Sequence, residues 1–336
     1  MQLPIRLSRA ILATVVGLAS ALVCSTASAA SPMGGSAYPT KPVKIVVPFP
    51  PGGTNDIVGR LVAKYLETEL GQPFVVENLG GAGGIIGTEF VARAAPDGYT
   101  LLAVSSGPMA TSLSLYKDRI KYDVKKDFVP IATLIDVTVV VAASPKFPAH
   151  DIAGLIEYAK KNPGAVRAGL PAVGSMHHLL TAQFEIDAGV NLNLIPYKGS
   201  GPTVLDLMGN HIDIDFDNMP AVIEQIRAHK LQAFAVSTPE RNTALPDVPS
   251  FKELGMSNLL AAPWFVLVAP EGTPQEIVTV LNKKIQTMMS DPETKKKLAS
   301  IGANPAWRSQ KETQEFLDTE VSRWAATVEK TGLKIE

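Results

Sequence analysis

Residues 48–56, Pro48-Phe-Pro-Pro-Gly-Gly-Thr-Asn-Asp56, place prolines, paired glycines and three short polar side chains between an apolar run and an amphipathic one. Prolines at 48, 50 and 51 end any strand or helix that enters them, and Gly52 and Gly53 let a backbone come close to something else. Thr54, Asn55 and Asp56 are all competent to cap a helix over the periodic stretch that begins at Ile57. Such a loop offers free N–H groups at a helix N-terminus, where an anion is held without a cationic side chain.

A second loop of this kind is Gly169-Leu-Pro-Ala-Val-Gly-Ser-Met-His-His178, ahead of a helical pattern. Gly174, Ser175 and His178 are its candidate ligand contacts. The competing reading is that Gly174-Ser175 only caps the helix and His178 packs against it. Tyr197-Lys-Gly-Ser-Gly-Pro202 repeats the pattern of strand end, glycines and helix start, with Lys198 read as a solvated turn residue. Asp213, Asp215 and Asp217 alternate with apolar residues. Their carboxylates share one face of a strand, expected to be solvated at Asp213 and Asp215, while Asp217 ends the run where it can orient a ligand's amino or hydroxyl group.

Other chemistries fit poorly. Acids spaced about 6.6 Å apart along a strand make a poor metal cage. Adjacent His177 and His178 do not face one ion, and no H-E-x-x-H is present. No metal or other cofactor is expected. Gly81-Ala-Gly-Gly-Ile-Ile-Gly87 approaches a dinucleotide fingerprint but has Ile86 where the third glycine belongs. Ser175, His178 and Asp217 are conceivable actors of an exported hydrolase, but no G-x-S-x-G elbow supports them.

The elements that must position these loops follow a βα rhythm, so the expected class is α/β. Ile45-Val-Val47, Phe74-Val-Val76 and residues 99–104 read as strands of a first domain, 38–136 together with 267–336. Residues 137–266 form the second. Two crossings between them imply a hinged cleft, with C-terminal helices returning to the first domain.

Ahead of both domains, Arg6 and Arg9 precede an uncharged apolar run ending in Ala27-Ser28-Ala29, which reads as a secretory signal peptide over residues 1–29, followed by a spacer over 30–37. Export to the periplasm follows, with no membrane insertion after cleavage. Cys24, the single cysteine, raises a lipid anchor as an alternative, but Ala21-Leu-Val23 lacks the small residue expected just before it. Cleavage leaves no thiol, so the mature chain relies on its core; 46% hydrophobic residues suffice for one. Of 31 Lys+Arg and 32 Asp+Glu, the signal removes two arginines, moving the net charge from −1 to −3. Nothing in that balance favours nucleic acid, and none is expected as a partner.

The chain resembles the periplasmic solute receptors of tripartite tricarboxylate transporters, the Bug family. The resemblance rests on Tyr38-Pro-Thr-Lys-Pro42, Val47-Pro-Phe-Pro-Pro-Gly-Gly-Thr-Asn-Asp56, Gly71-Gln-Pro-Phe-Val-Val-Glu-Asn78, Gly81-Ala-Gly-Gly84 and Ala95-Pro-Asp-Gly-Tyr99. Gly174-Ser-Met-His-His178, Pro196-Tyr-Lys-Gly-Ser200, Asp217-Asn-Met-Pro220, Ala244-Leu-Pro-Asp-Val-Pro249 and Trp264-Phe-Val-Leu-Val-Ala-Pro-Glu-Gly-Thr-Pro274 extend it. It implies a two-lobed, type II periplasmic-binding-protein-like fold that closes on a small organic carboxylate and presents it, as a monomer, to membrane transporter subunits.

By the same resemblance, Phe49, Pro51, Gly52, Gly53, Thr54, Asn55 and Asp56 hold one carboxylate together with Gly174, Ser175 and His178. Ser105, Ser106, Tyr197 and Asp217 line the cleft. Leu170-Pro-Ala-Val173 departs from the small polar, glycine-rich run usual before Gly174. A ligand sensor feeding a signalling protein is the remaining alternative role.

Overall fold

The computed structural model describes residues 38–116 and 119–331; the expected signal, spacer and Cys24 lie outside them. Two separate sheets organise the chain. The first is built from β1 (Val43–Val47), β2 (Phe74–Asn78), β3 (Thr100–Ser105) and β4 (Phe128–Val137). The second takes β5 (Val139–Ala143), β6 (Arg167–Leu170), β7 (Asn193–Pro196), β8 (Ile214–Asn218) and β9 (Gln232–Val236). The chain then returns to the first with β10 (Trp264–Pro270) and β11 (Ala303–Pro305).

Strand order is β11-β4-β10-β3-β1-β2 in one sheet and β7-β6-β8-β5-β9 in the other. β1 pairs in parallel with both β2 and β3, and β6 with both β7 and β8. Strands such as β1 and β5 therefore lie between neighbours and are buried nearly throughout, as the β-branched and apolar sequences of β5 and, apart from Lys44, of β1 require.

The helices are α1 (Thr54–Leu70), α2 (Ile85–Ala92), α3 (Ser112–Leu115), α4 (Ile152–Lys161) and α5 (Met176–Ala188). They continue with α6 (Ser200–Met208), α7 (Met219–Arg227), α8 (Gln275–Ser290), α9 (Pro292–Ser300) and α10 (Gln310–Thr331). Val58, Val62 and Leu66 of α1 recur at helical spacing and bury against β1 and β3, beside Val278, Leu281 and Ile285 of α8. The C-terminal helices stay with the first sheet: Asn282 donates to the Ile131 carbonyl at 2.7 Å.

The lobes are joined where β4 runs into β5 and where β9 returns to β10. These segments lie side by side, because the Val137 N–H donates to the Pro263 carbonyl at 2.9 Å and the Ala261 N–H to that of Ser237 at 3.1 Å. The run over residues 264–269, which the sequence suggests as the strand that crosses back, lies within β10. Trp264, Phe265 and Val266 already belong to the first sheet, paired with β4 or β3. β4 carries a proline, Pro130, inside the sheet. It is tolerated because β11 covers only residues 135–137 and a register irregularity falls beside Val268, which faces Pro130.

Gly87, from the imperfect dinucleotide pattern, has a packing role. A Cβ there would lie 2.5 Å from the Leu79 carbonyl oxygen and 2.9 Å from Pro48 Cα. Both are backbone atoms that cannot yield locally, so α2 would have to lift off the loop after β1. Gly87→Ala is expected to cost about 1–3 kcal/mol. A melting temperature equal to that of the wild type would refute this.

Candidate functional site

Three helices begin at one cavity between the lobes. α1 enters from the first lobe, and α5 and α6 from the second, so Gly53, Thr54 and Asn55 face Ser175, Met176 and His177 and also Gly199 and Ser200. Their N-caps, Gly53, Ser175 and Gly199, make no side-chain cap bond, which leaves first-turn N–H groups without intrahelical partners. Phe49, Pro50, Gly83, Ser105, Ser106, Gly107, Pro171, Ala172, Asn218 and Pro263 complete the lining. No lysine or arginine lines it among the described residues. An anion here would be held by amide dipoles.

The lobes stand close together. A Cβ on Gly201 would lie 2.5 Å from the Pro51 carbonyl oxygen, and one on Gly199 3.0 Å from Pro50 Cδ. Tyr116 of the first lobe donates its hydroxyl to the Val173 carbonyl of the second at 3.1 Å.

Asp56 makes the first loop rigid rather than lining the cavity. Its carboxylate accepts from the Gly52 N–H at 3.1 Å, from Arg60 Nε at 3.0 Å and from Asn78 Nδ2 at 3.0 Å. Burial alone would raise its pKa, but those bonds and the Arg60 charge hold it below the usual carboxylate range. Asn78 also donates to the Phe49 carbonyl at 3.0 Å. Pro51 and the positive-φ Gly52 sit at the exposed outside of this turn.

In the second loop the two histidines divide. His178 Nδ1 accepts the Gly174 N–H at 3.2 Å, and burial pushes the imidazole pKa down, so the ring is neutral and holds the turn. His177 lines the cavity, with Nδ1 3.3 Å from Ser175 Oγ and Nε2 4.0 Å from Asp217 Oδ1. Ser175 donates its hydroxyl to the Ala172 carbonyl at 2.6 Å.

Tyr197 is turned to Asp206, to which its hydroxyl donates at 2.6 Å, and does not line the cavity. Asp217 lies beneath the wall, fully buried. Its Oδ1 accepts from Ser200 Oγ at 2.6 Å and from the Asn218 N–H at 2.7 Å. The solvated face expected of the acid strand is corrected at Asp215, which is fully buried because β8 lies between β6 and β5. Burial, then the neighbouring Asp217 carboxylate, push Asp215 well above the usual range. Burial also raises Asp217, opposed by His177, Ser200 and the Asn218 N–H. Asp213 is half-buried and pairs with Arg167 at 2.7 Å.

Of the expected contacts, the structure brings Phe49, Gly53, Thr54, Asn55, Ser105, Ser106 and Ser175 to one cavity. It places Pro51, Gly52, Asp56, Gly174, His178, Tyr197 and Asp217 around or behind it. His177 and Ser200 line it without having been expected, as does Asn218, whose segment, Asp217-Asn-Met-Pro220, the sequence suggests as able to orient a ligand group. The glycine-flanked serine in Tyr197-Lys-Gly-Ser-Gly was the available signal for Ser200. Among the described residues, no group of His, Cys, Asp or Glu is arranged to hold a metal ion, and no helix is long and apolar enough to cross a membrane.

Residues 58–333 match the family model described as the tripartite tricarboxylate transporter family receptor. The chain is 42% identical to Protein BugT of Bordetella pertussis over 313 residues, 93% of this chain and 96% of that one. It is similar to the structure of R. palustris Rpa4515 with adipate, with a TM-score of 0.85, 35% identity, and coverage of 88% of this chain and 99% of that one. MatC (Rpa3494) from Rhodopseudomonas palustris with bound malate matches with a TM-score of 0.80, 30% identity, and coverage of 87% and 100%.

Proposed function

Because the chain belongs to the tripartite tricarboxylate transporter receptor family, we propose that its cavity captures a small mono- or dicarboxylate between the two lobes for delivery to the membrane subunits of such a transporter. The observation that carries this reading is the convergence of three helix N-termini without side-chain caps, from both lobes, on a cavity lined, among the described residues, by no lysine or arginine. Backbone donors recognise a carboxylate whatever bears it. Because those donors come from opposite lobes, a bound carboxylate contacts both only when the lobes are together, and this differential contact drives closure.

Binding without catalysis is the reading favoured here. The Ser175 hydroxyl donates to a carbonyl and His178 Nδ1 accepts from the Gly174 N–H, so the serine is not activated by that histidine. The protein works in the periplasm as a monomer, after cleavage near Ala29, with neither nucleic acid nor a cofactor as a partner. Relatives that carry adipate or malate support small dicarboxylates as the first ligands to try.

Isothermal calorimetry of the mature protein against a panel of aliphatic dicarboxylates, hydroxy acids, aromatic acids and acidic amino acids tests the proposal. At least one saturable binder is expected, accompanied by compaction in small-angle scattering if the unliganded protein is open. Silence across the panel would reject it. Membrane transporter genes beside the coding sequence favour transport, whereas an adjacent sensor kinase gene favours signalling.

A further inference from the structure

The carboxylate is the part of a ligand that backbone donors can hold; the hydroxyls of the second lobe are wired for something else. Ser175 and Ser200 both line the cavity, each only 8% exposed. A serine has one hydroxyl proton and two lone pairs. In Ser175 that proton goes to the Ala172 carbonyl at 2.6 Å. In Ser200 it goes to Asp217 Oδ1 at 2.6 Å, an oxygen fixed as an acceptor by the Asn218 N–H at 2.7 Å.

Asp217 is fully buried behind Ser200, so it sets the direction of that hydroxyl without touching the cavity. What remains on both serines is lone pairs. A second carboxylate whose oxygens lay against these two hydroxyls would meet lone pairs there, with no lysine or arginine lining the cavity among the described residues to offset the repulsion.

We propose that the ligand of this cavity carries a hydrogen-bond donor, a hydroxyl or an ammonium, close to its clamped carboxylate, and that Ser200, oriented by Asp217, is the residue that selects for it. This rests on the carboxylate reading above and narrows it from any small organic acid to hydroxy or amino acids. The helix N-termini take the carboxylate, Ser200 accepts from the neighbouring donor, and Asp217 is a positioning residue.

Matched pairs of acids that differ only in the donor test it by calorimetry: L-lactate against propionate, and L-malate and L-aspartate each against succinate. At least one donor-bearing acid is expected to bind about tenfold or more tightly than its plain counterpart, the scale of one desolvated hydrogen bond. Preference for malate identifies a hydroxyl, and preference for aspartate an ammonium. Ser200→Ala is expected to bring the ratio within about threefold, and Ser200→Thr to retain it, with circular dichroism reporting the fold of each variant.

Plain acids that bind as well as their substituted partners overturn the inference while leaving carboxylate capture standing. So does a ratio that survives Ser200→Ala. If none of these acids binds and the wider panel is silent as well, both fall together.

Discussion

Gly53→Val is expected to weaken binding of a confirmed ligand by at least about 100-fold while leaving the melting temperature of the unliganded protein within about 2 °C of the wild type. The two effects separate because of where this glycine stands. Its backbone is extended, φ −87° and ψ 172°, a conformation any residue adopts, so a side chain strains nothing locally. Its missing Cβ points across the cleft: an added one lies 3.3 Å from Ser200 Cβ and 3.7 Å from the nitrogens of Ser200 and Gly201.

Valine adds two further carbons beyond that Cβ. They fit only if the jaws part, and parting removes the donors of α6 from any ligand seated on α1. Gly53→Ala, which adds the tight Cβ alone, falls between wild type and valine. Scattering of the valine variant with saturating ligand remains that of an open molecule. Wild-type affinity in Gly53→Val, or a loss of stability matching the loss of affinity, would falsify this account.

The first jaw was legible from composition because its information is local. Prolines that stop a strand, glycines that permit close approach and polar residues that open a helix act through their own backbone. The packing of Phe49 and the orientation of Thr54 and Asn55 then follow from α1 beginning where the sequence places it. The second jaw was legible as a loop but not in its rotation. His177 and His178 differ by about 100° around a helix. Only the seating of α5 on β8, through Phe184 against Phe216 at 5.4 Å between ring centroids, decides that the first looks into the cavity and the second back at Gly174.

Strand β8 shows a further limit. Alternation correctly puts Asp213, Asp215 and Asp217 on one face, yet alternation alone does not say that this face is covered. Covering comes from β5 and β6 on either side and from α6, which begins 17 residues before Asp217 in sequence and lays Ser200 on it. In β4 the sheet itself makes room for Pro130, because β11 pairs only with residues 135–137 on that side.

Asp215→Asn is expected to raise the melting temperature at pH 8 by several degrees and to change it less at pH 5. Asp215 faces Ala142 on β5 and Gly169 on β6, neither of which carries a charge to balance it, and its nearest acid is Asp217. With the folded-state pKa raised above the ordinary aspartate value of about 3.9, the folded chain holds this proton more tightly than the unfolded one. The associated stability is therefore complete below about pH 4 and declines as pH rises toward the folded pKa.

Asparagine removes that decline because it has no proton to lose, and its amide is placed to donate toward the Asp217 oxygen that has no partner among the described residues. Asp217 then keeps one oxygen for Ser200 and the Asn218 N–H and gains a permanent donor for the other, so the orientation of Ser200 survives the substitution. Differential scanning calorimetry of both proteins between pH 5 and pH 8 reads the effect directly. The melting curves should diverge with rising pH, and curves that stay parallel would mean that Asp215 does not titrate against folding.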